Sequence, residues 1–449
     1  MHDIGRPDTM ATTQQLSPAG SLDEAQVNQL NAVLPRFIAW LDRFGETSFD
    51  HQSYFAGPIG GRAKALYYSH PKLGTLAVAP MIFSEAFLPA GRQLFWKKQR
   101  FPIADAHYAM GFAMLARSSG RQDMLDRAVH FLEVLEQTRC PEYERHGWGY
   151  PFDWVTRTGV MKAQTPLITT TPYVYEAFAA VHAIDARQRW LDVMQSAAEH
   201  AFRDIADRPL SEHSATAGYN PLDKDGGVVN ASAYRAFMLT EAALRFGRED
   251  YRAAAERNLN YVLGAQQDDG SWPYATDGVR PFIDHFHTCF VMKALAKIEA
   301  LTGHAGCRQA IDAGVRYYVD HLFDEQGLPR PFAAAPRLTV YRGELYDYAE
   351  CLNVATLLRG RYPALDARRQ TALSDLLTRW LKPDGSFRSR RLLLGWDNVP
   401  MHRWAQAQLF RSLCFASTAD LPSAATTTGA GTTPVTPGRP ASATVETLH

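Results

Sequence analysis

Several things are scarce in this chain, and each scarcity removes a class of protein. The five cysteines, Cys140, Cys289, Cys307, Cys351 and Cys414, are scattered over 449 residues, odd in number and without a CxxC pair. That excludes a disulfide framework and predicts reduced thiols in a cytoplasm-like compartment. Net charge is absent: Lys plus Arg and Asp plus Glu each number 47. A polyanion-coating protein is thereby excluded, and no nucleic-acid partner is expected. No apolar run approaches the ~20 residues of a membrane span. The opening MHDIGRPDTMATTQQ has no apolar core of a secretory signal, so the expected location is cytoplasmic. Apolar periodicity is missing from both ends. Residues 1–20 are polar, and residues 420–449, which include ATTTGAGTTPVTPGRPASAT, are of low complexity. Both are expected to be disordered, leaving residues 21–419 as one domain.

What is present is a repeat. QDDGSWPY, FDEQGLPRPF and LKPDGSFR carry Gly270, Gly327 and Gly385 at near-equal spacing, and GWGYPFDW (Gly147 to Trp154) is a more distant version. Each loop follows a helix with one apolar stripe, such as Ile311, Val315, Tyr318, Val319 and Leu322. Each precedes a helix that is apolar nearly all round, such as Phe286 to Ile298. The second class starts near residues 104, 170, 228, 284, 344 and 398. The first class starts near 123, 188, 250, 307 and 366. Its missing sixth member is at the N-terminus, where Ser21, Leu22, Asp23 and Glu24 form a capping-box pattern before Val27, Leu30, Leu34, Phe37, Ile38 and Leu41. The expectation is an all-α fold, an (α/α)6 toroid of six inner and six outer helices closed by the N-terminal helix. Residues 45–103, with GPIGGR and several prolines, do not fit the repeat and read as an irregular insertion or lid.

In such a ring the N-termini of all inner helices converge on one face, where free N–H groups and helix dipoles favour anions. The connections there are rich in polar and aromatic side chains. Asp284 and His287 are three apart and share a helix face. With Glu350, Tyr348 and His402 they form the expected catalytic set, in which a His and a carboxylate act as acid and base. The expected substrate-binding set is Trp148, Tyr150, Asp153, Thr170, Tyr219, Asp223, Asn230, Trp272, Tyr274, His285, Arg342, Asp347 and Trp396. Sugar rings stack on Trp and Tyr, and hydroxyls pair with Asp, Asn and Arg. Each residue also has a structural reading. Asp284, Asn230 or Asn398 can simply cap a helix. Trp272 and Trp148 fit as wedges between hairpins. His285 and His287, two apart, cannot face one way, so one of them is structural.

The QDDGSWPY loops resemble the Gln-Gly-Trp repeats of squalene cyclases and protein prenyltransferase β subunits, which share the double ring of helices. The cyclase Asp-x-Asp-Asp motif is absent. The prenyltransferase zinc set is echoed only by Asp347, Cys351 and His402 with the wrong spacing, so no metal or cofactor is expected. A longer resemblance runs through WGYPFDW, TPLITTTPYVYEAF, YNPLDKDGGVVNASAYRAF and DGSWPYATDGVRPFIDHFHT in that order. These are similar to bacterial toroid proteins of the vibrio-polysaccharide type, named for exopolysaccharide biosynthesis. The resemblance implies the toroid fold and a polysaccharide setting, and it assigns no catalytic residue.

The leading expectation is an enzyme or binding protein for a saccharide or glycolipid intermediate, working as a hydrolase, lyase or epimerase. The alternatives are an isoprenoid-handling cyclase or transferase, and a non-catalytic scaffold. A wet funnel with carboxylates favours sugar, and a deep apolar centre favours isoprenoid.

Overall fold

The computed structural model describes residues 22–157, 159–336 and 339–419. The end segments expected to be disordered lie outside these residues. The first helix, α1 (Glu24–Phe44), begins two residues later than the Ser21 reading. Asp23 is its N-cap and Gln26 returns the bond to complete the capping box. The chain then forms α2 (Ser53–Ala56), α3 (Pro58–Ser69) and α4 (Pro71–Phe87). This corrects the reading of an irregular insertion. Pro58 and Pro71 each sit at the first helical position, where a missing N–H costs nothing, so residues that read as breakers are starters. Gly74 permits the close crossing of the two helices, since a Cβ there would lie 2.0 Å from Tyr67 Cα. We call residues 45–101 the hood.

From there inner and outer helices alternate: α5 (Pro102–Ser119), α6 (Gln122–Gln137), α7 (Thr171–His182), α8 (Gln188–Arg203), α9 (Val229–Phe246), α10 (Glu249–Gly264), α11 (His285–Thr302), α12 (Ala305–His321), α13 (Leu345–Leu357), α14 (Pro363–Asp375) and α15 (Ala407–Thr418). The odd-numbered members from α5 are inner. Each packs on the next, and α15 returns to α5. The outer helix α1 covers α15, and the Phe37 and Phe410 rings stack at 5.2 Å. The ring is therefore closed.

The repeat glycines explain how. Gly270 and Gly385 have φ of +91° and +95°, which only glycine adopts freely. A Cβ on Gly270 would lie 2.4 Å from the Ala313 carbonyl oxygen of α12, and one on Gly385 would lie 2.4 Å from the Arg36 carbonyl oxygen of α1. Each loop tucks beneath the outer helix that follows it. By that contact α1 occupies the outer position after α14.

The sixth inner helix begins later than the sequence pattern implied. Residues His402–Gln406 form a π turn with non-helical backbone at Trp404 and Ala405, and regular helix starts at Ala407. Short strands tie the connections into a rim. The strands β1 (Trp154–Thr156) and β2 (Gly159–Met161) pair, as do β3 (Asp207–Ser211) and β4 (Ser214–Ala217). The pair β5 (Ile283–Asp284) and β6 (Phe332–Ala334), and the sheet of β7 (Tyr341–Glu344), β8 (Arg390–Leu392) and β9 (Trp396–Asp397), join successive connections. All five cysteines are buried and free.

Candidate active site at the inner-helix N-termini

The best-formed acid–base geometry is in the first turn of α11. Asp284 caps that helix: Oδ1 accepts the His287 backbone N–H at 2.9 Å, and Oδ2 lies 2.6 Å from His287 Nδ1. The carboxylate is buried and the imidazole is about one-fifth exposed. Capping and orienting the histidine are thus one function, because the N-cap and the third helical residue share a face. Among the described residues, no protein group bonds His287 Nε2, and the ring is bounded by Tyr274, Phe286 and Phe290, with centroids at 4.6, 4.4 and 5.5 Å.

Around it is a half-exposed aromatic mouth. Tyr274 stacks on Phe282 at 4.6 Å, and Tyr150 stacks on Phe152 at 5.5 Å. Trp154 stands 6.5 Å from Tyr219. The Arg403 guanidinium lies over Tyr150 at 4.5 Å and Trp404 at 5.1 Å, and it is fixed by two bonds to Asp50 of the hood. Burial raises the Tyr150 hydroxyl above its ordinary value although Arg403 pulls it down, and burial pushes Tyr274 up to about 12. These phenols therefore hold their protons more tightly than a free tyrosine does.

Beneath the mouth the ring axis is charged. Lys293 of α11 pairs with Glu350 of α13, and Lys297 pairs with Glu176 of α7. Arg411 of α15 lies 4.0 Å from Glu176. The Tyr173 and Tyr234 hydroxyls meet at 2.7 Å, and Lys293 Nζ reaches Tyr173 at 3.2 Å. Burial pulls the Lys297 ammonium down to about 8 against the Glu176 carboxylate. Burial also opposes the Lys293 ammonium, but Glu350 and Tyr173 hold it above its ordinary value. Asp347 is fully buried and neither oxygen has a partner. Burial, then the Glu344 and Asp284 carboxylates, push its carboxyl well above the usual range. This centre is polar, not the apolar barrel an isoprenoid chain requires.

Of the residues singled out in the sequence, Asp284, His287, Tyr274, Tyr219 and Tyr150 meet at the mouth. Others do not. Tyr348 and Glu350, two apart on α13, point in opposite directions. Glu350 faces the axis below the mouth, while Tyr348 faces outward and donates to Asp375 Oδ2 at 2.7 Å. His402 is at the ring seam, where Nε2–H donates to the Gly45 carbonyl and Nδ1 accepts from Tyr108. His285 is likewise internal. Its Nδ1–H faces the Leu322 and Arg330 carbonyls, and Nε2 accepts from Tyr318 at 2.6 Å. Burial lowers His402 to about 4 and His285 to about 3, so both are neutral.

The tryptophans are wedges. Trp148 donates to the Leu135 carbonyl and Trp272 to the Val262 carbonyl, each between an outer helix and the following loop. Trp396 packs on Trp380 and Arg388. Asp223 accepts from the N–H groups of Tyr219, Asp225 and Gly226 and so shapes its own loop. Asp153 holds Lys162 and the Ala163 N–H, and Arg342 is exposed. Thr170 is buried at the start of α7 without a side-chain cap bond. Asn230 is buried in the first turn of α9, and it caps nothing. Asn398 accepts from Arg388 instead of capping. Asp347, Cys351 and His402 are not gathered: Cys351 interacts with Tyr318, and His402 is at the seam.

Lys293, Lys297 and Arg411 were not singled out in the sequence. The signal was available: lysines at i and i+4 in CFVMKALAKI, a stretch otherwise apolar, have little solvent face to occupy. A groove of about 640 Å³ also opens outside the ring, lined by Asp42, Glu46, Arg127 and His130 of α1, α6 and the loop after α1. Its charges already pair with one another across the seam.

No protein-family model matches the chain, and no curated protein sequence matches it. Solved structures do. The cellobiose 2-epimerase from Bacillus thermoamylovorans superposes with a TM-score of 0.56 at 9% identity, over 71% of this chain and 87% of that one. An unsaturated glucuronyl hydrolase specific for heparin gives 0.52 at 9% identity over 71% and 87%. The GH76 α-mannanase from Bacteroides thetaiotaomicron gives 0.52 at 10% identity over 82% and 98%. At these identities the likeness is one of fold, and it places the chain among α/α toroids.

Proposed function

We propose that the protein is a carbohydrate-active enzyme that moves a proton on a sugar, as an epimerase or lyase does, with His287 as the base. The observation that carries this reading is the Asp284–His287 pair, which presents an unbonded Nε2 to an aromatic mouth. Asp284 fixes the Nδ1–H tautomer and stabilises the imidazolium that forms when Nε2 takes a proton. The proton comes from a carbon made acidic by a neighbouring carbonyl or carboxylate. Arg403 meets the oxygen on which charge develops. Tyr274, Tyr150 and Trp154 provide ring faces for stacking. Two-carboxylate hydrolysis fits less well: Glu350 and Glu344 are each neutralised by a buried cation, and Asp347 has no exposure. The solved structures of similar fold include a cellobiose 2-epimerase and an unsaturated glucuronyl hydrolase, which supports a saccharide substrate. A role in cell-surface polysaccharide production is supported by the motif resemblance.

The test is proton exchange. Protein is incubated in D2O with reducing disaccharides and uronate-containing oligosaccharides, and each C–H is followed by proton NMR. Enzyme-dependent loss of one C–H signal that disappears with His287→Ala supports the reading. Release of reducing ends without C–H exchange, or exchange undiminished in His287→Ala, overturns it.

A further inference from the structure

The charges of the chain balance overall, but not in the hood. Between residues 57 and 100 the only acid is Glu85, and buried Arg390 holds it. Arg62, Lys72, Lys97 and Lys98 are exposed. The same segment turns apolar side chains outward. On α4, Leu73, Leu76, Phe83 and Phe87 are 61%, 72%, 57% and 47% exposed. With Pro80 they recur at helical spacing on one face, while Gly74, Val78 and Met81 are the buried side. Ile59 of α3 and Leu94 are also exposed. A contiguous apolar stripe of this kind on a folded protein marks an interaction site.

The chemistry of the stripe selects its occupant. Phe and Leu on a hairpin that also exposes Arg62 and Lys72, with no free acid of its own, match an anionic lipid surface: the acyl boundary accepts the apolar face and headgroup phosphates accept the cations. The chain ends outside the described residues, 1–21 and 420–449, contain no apolar run that would cover it. No helix among the described residues is long and apolar enough to cross a membrane, so the contact is interfacial. We infer that the α3–α4 hairpin seats the protein on an anionic phospholipid surface. Arg390 then links the seat to the mouth, because it holds both Glu85 of α4 and Glu344 at the start of α13. The inference stands on charge and exposure and does not depend on the proposed reaction.

The experiment is co-sedimentation of the full chain with vesicles of phosphatidylcholine alone or with a minority of phosphatidylglycerol. The expected result is binding about tenfold stronger to the anionic vesicles and weakened by salt. Phe83→Ser/Phe87→Ser and, separately, Arg62→Glu/Lys72→Glu should each reduce it about tenfold with the melting temperature unchanged. If the Phe variant melts early, Leu76→Gln decides in its place. Equal recovery with both vesicle types overturns the inference. So does a dimer in sedimentation equilibrium that Phe83→Ser/Phe87→Ser converts to monomer while no vesicle binds, since the face would then cover a second copy.

Discussion

His285 and His287 stand two residues apart in the first turn of α11, and they belong to different environments. His285 points back between helices, is fully buried, and exchanges bonds with Tyr318 and two carbonyls. His287 points to the mouth, is partly exposed, and is bonded to one carboxylate. A helix rotates by about 200° over two residues, so one turn serves packing on one side and chemistry on the other. His402 repeats the His285 arrangement at the seam, with Gly45 in place of Leu322 and Tyr108 in place of Tyr318. His285 and His402 thus each tie an inner-helix start to the end of an outer helix. His287 makes no such tie, and that difference is what marks it.

The sharpest way to break this contrast is to exchange the losses. Truncating the base, His287→Ala, should lower proton exchange by about 10²–10⁴-fold while leaving the unfolding midpoint near wild type. Truncating the tie, His285→Ala, should do the reverse. It leaves the Tyr318 hydroxyl and two carbonyls buried without their partner, at a cost of about 2–4 kcal/mol in denaturant unfolding, with exchange per folded molecule retained. Loss of exchange in both variants would merge the two environments into one.

Acidification loads the ties together with the other buried groups. His285 and His402 are neutral in the fold with lowered pKa values of about 3 and about 4. The unfolded chain takes protons near pH 6.5 that the fold refuses, so both draw stability down as pH falls below that value. Asp105 works the other way: burial pushes its carboxyl up to about 7 against the nearby Arg100 cation, so protonating it in the fold restores stability over the same range. These three groups together give a net loss of about 1–3 kcal/mol between pH 7 and pH 4.5, and burial of His51 and His107, which holds both below the ordinary imidazole value, adds to it, so urea midpoints at the two values should differ by at least that much. The smallest effect concerns Tyr348. Tyr348→Phe should cost about 1 kcal/mol through the Asp375 bond and leave exchange untouched, because that hydroxyl faces the outer layer. A large loss of exchange would return Tyr348 to the site.

The ring was legible in the sequence because its signals are local and repeated. The period of the glycine loops, the contrast between one-stripe and all-round apolar helices, and the capping pattern near Asp23 each follow from burial on one or more sides. The hood was misread for a physical reason, since Pro58 and Pro71 break a helix or begin one according to what precedes them. The candidate site was legible in part of its geometry. The meeting of Asp284 and His287 followed from a three-residue spacing. Tyr348 and Glu350, two residues apart, face opposite ways. His402 lies at the seam, in a π-wound turn and not in a regular helix. The axial lysines are the exceptions in the apolar pattern of α11, and a periodicity built on the apolar residues does not register them, although it is the exceptions that face the axis.

The tuck of Gly385 beneath α1 also orders events in time. Arg36 of α1 donates to the Pro383 carbonyl across a sequence separation of 347 residues. During synthesis α1 leaves the ribosome first, yet its berth is made last, by α15 and the Gly385 loop. Until then its apolar face, with Leu30, Phe37 and Leu41, has no native surface to meet. The nascent chain is an open arc with an unsatisfied edge at each end, and such edges are where folding intermediates of large chains associate wrongly. Closure is thus a late, long-range step whose loop entropy is met all at once. A permuted chain that begins at α5 and carries α1 after α15 would make the seam local and should fold faster to the same ring.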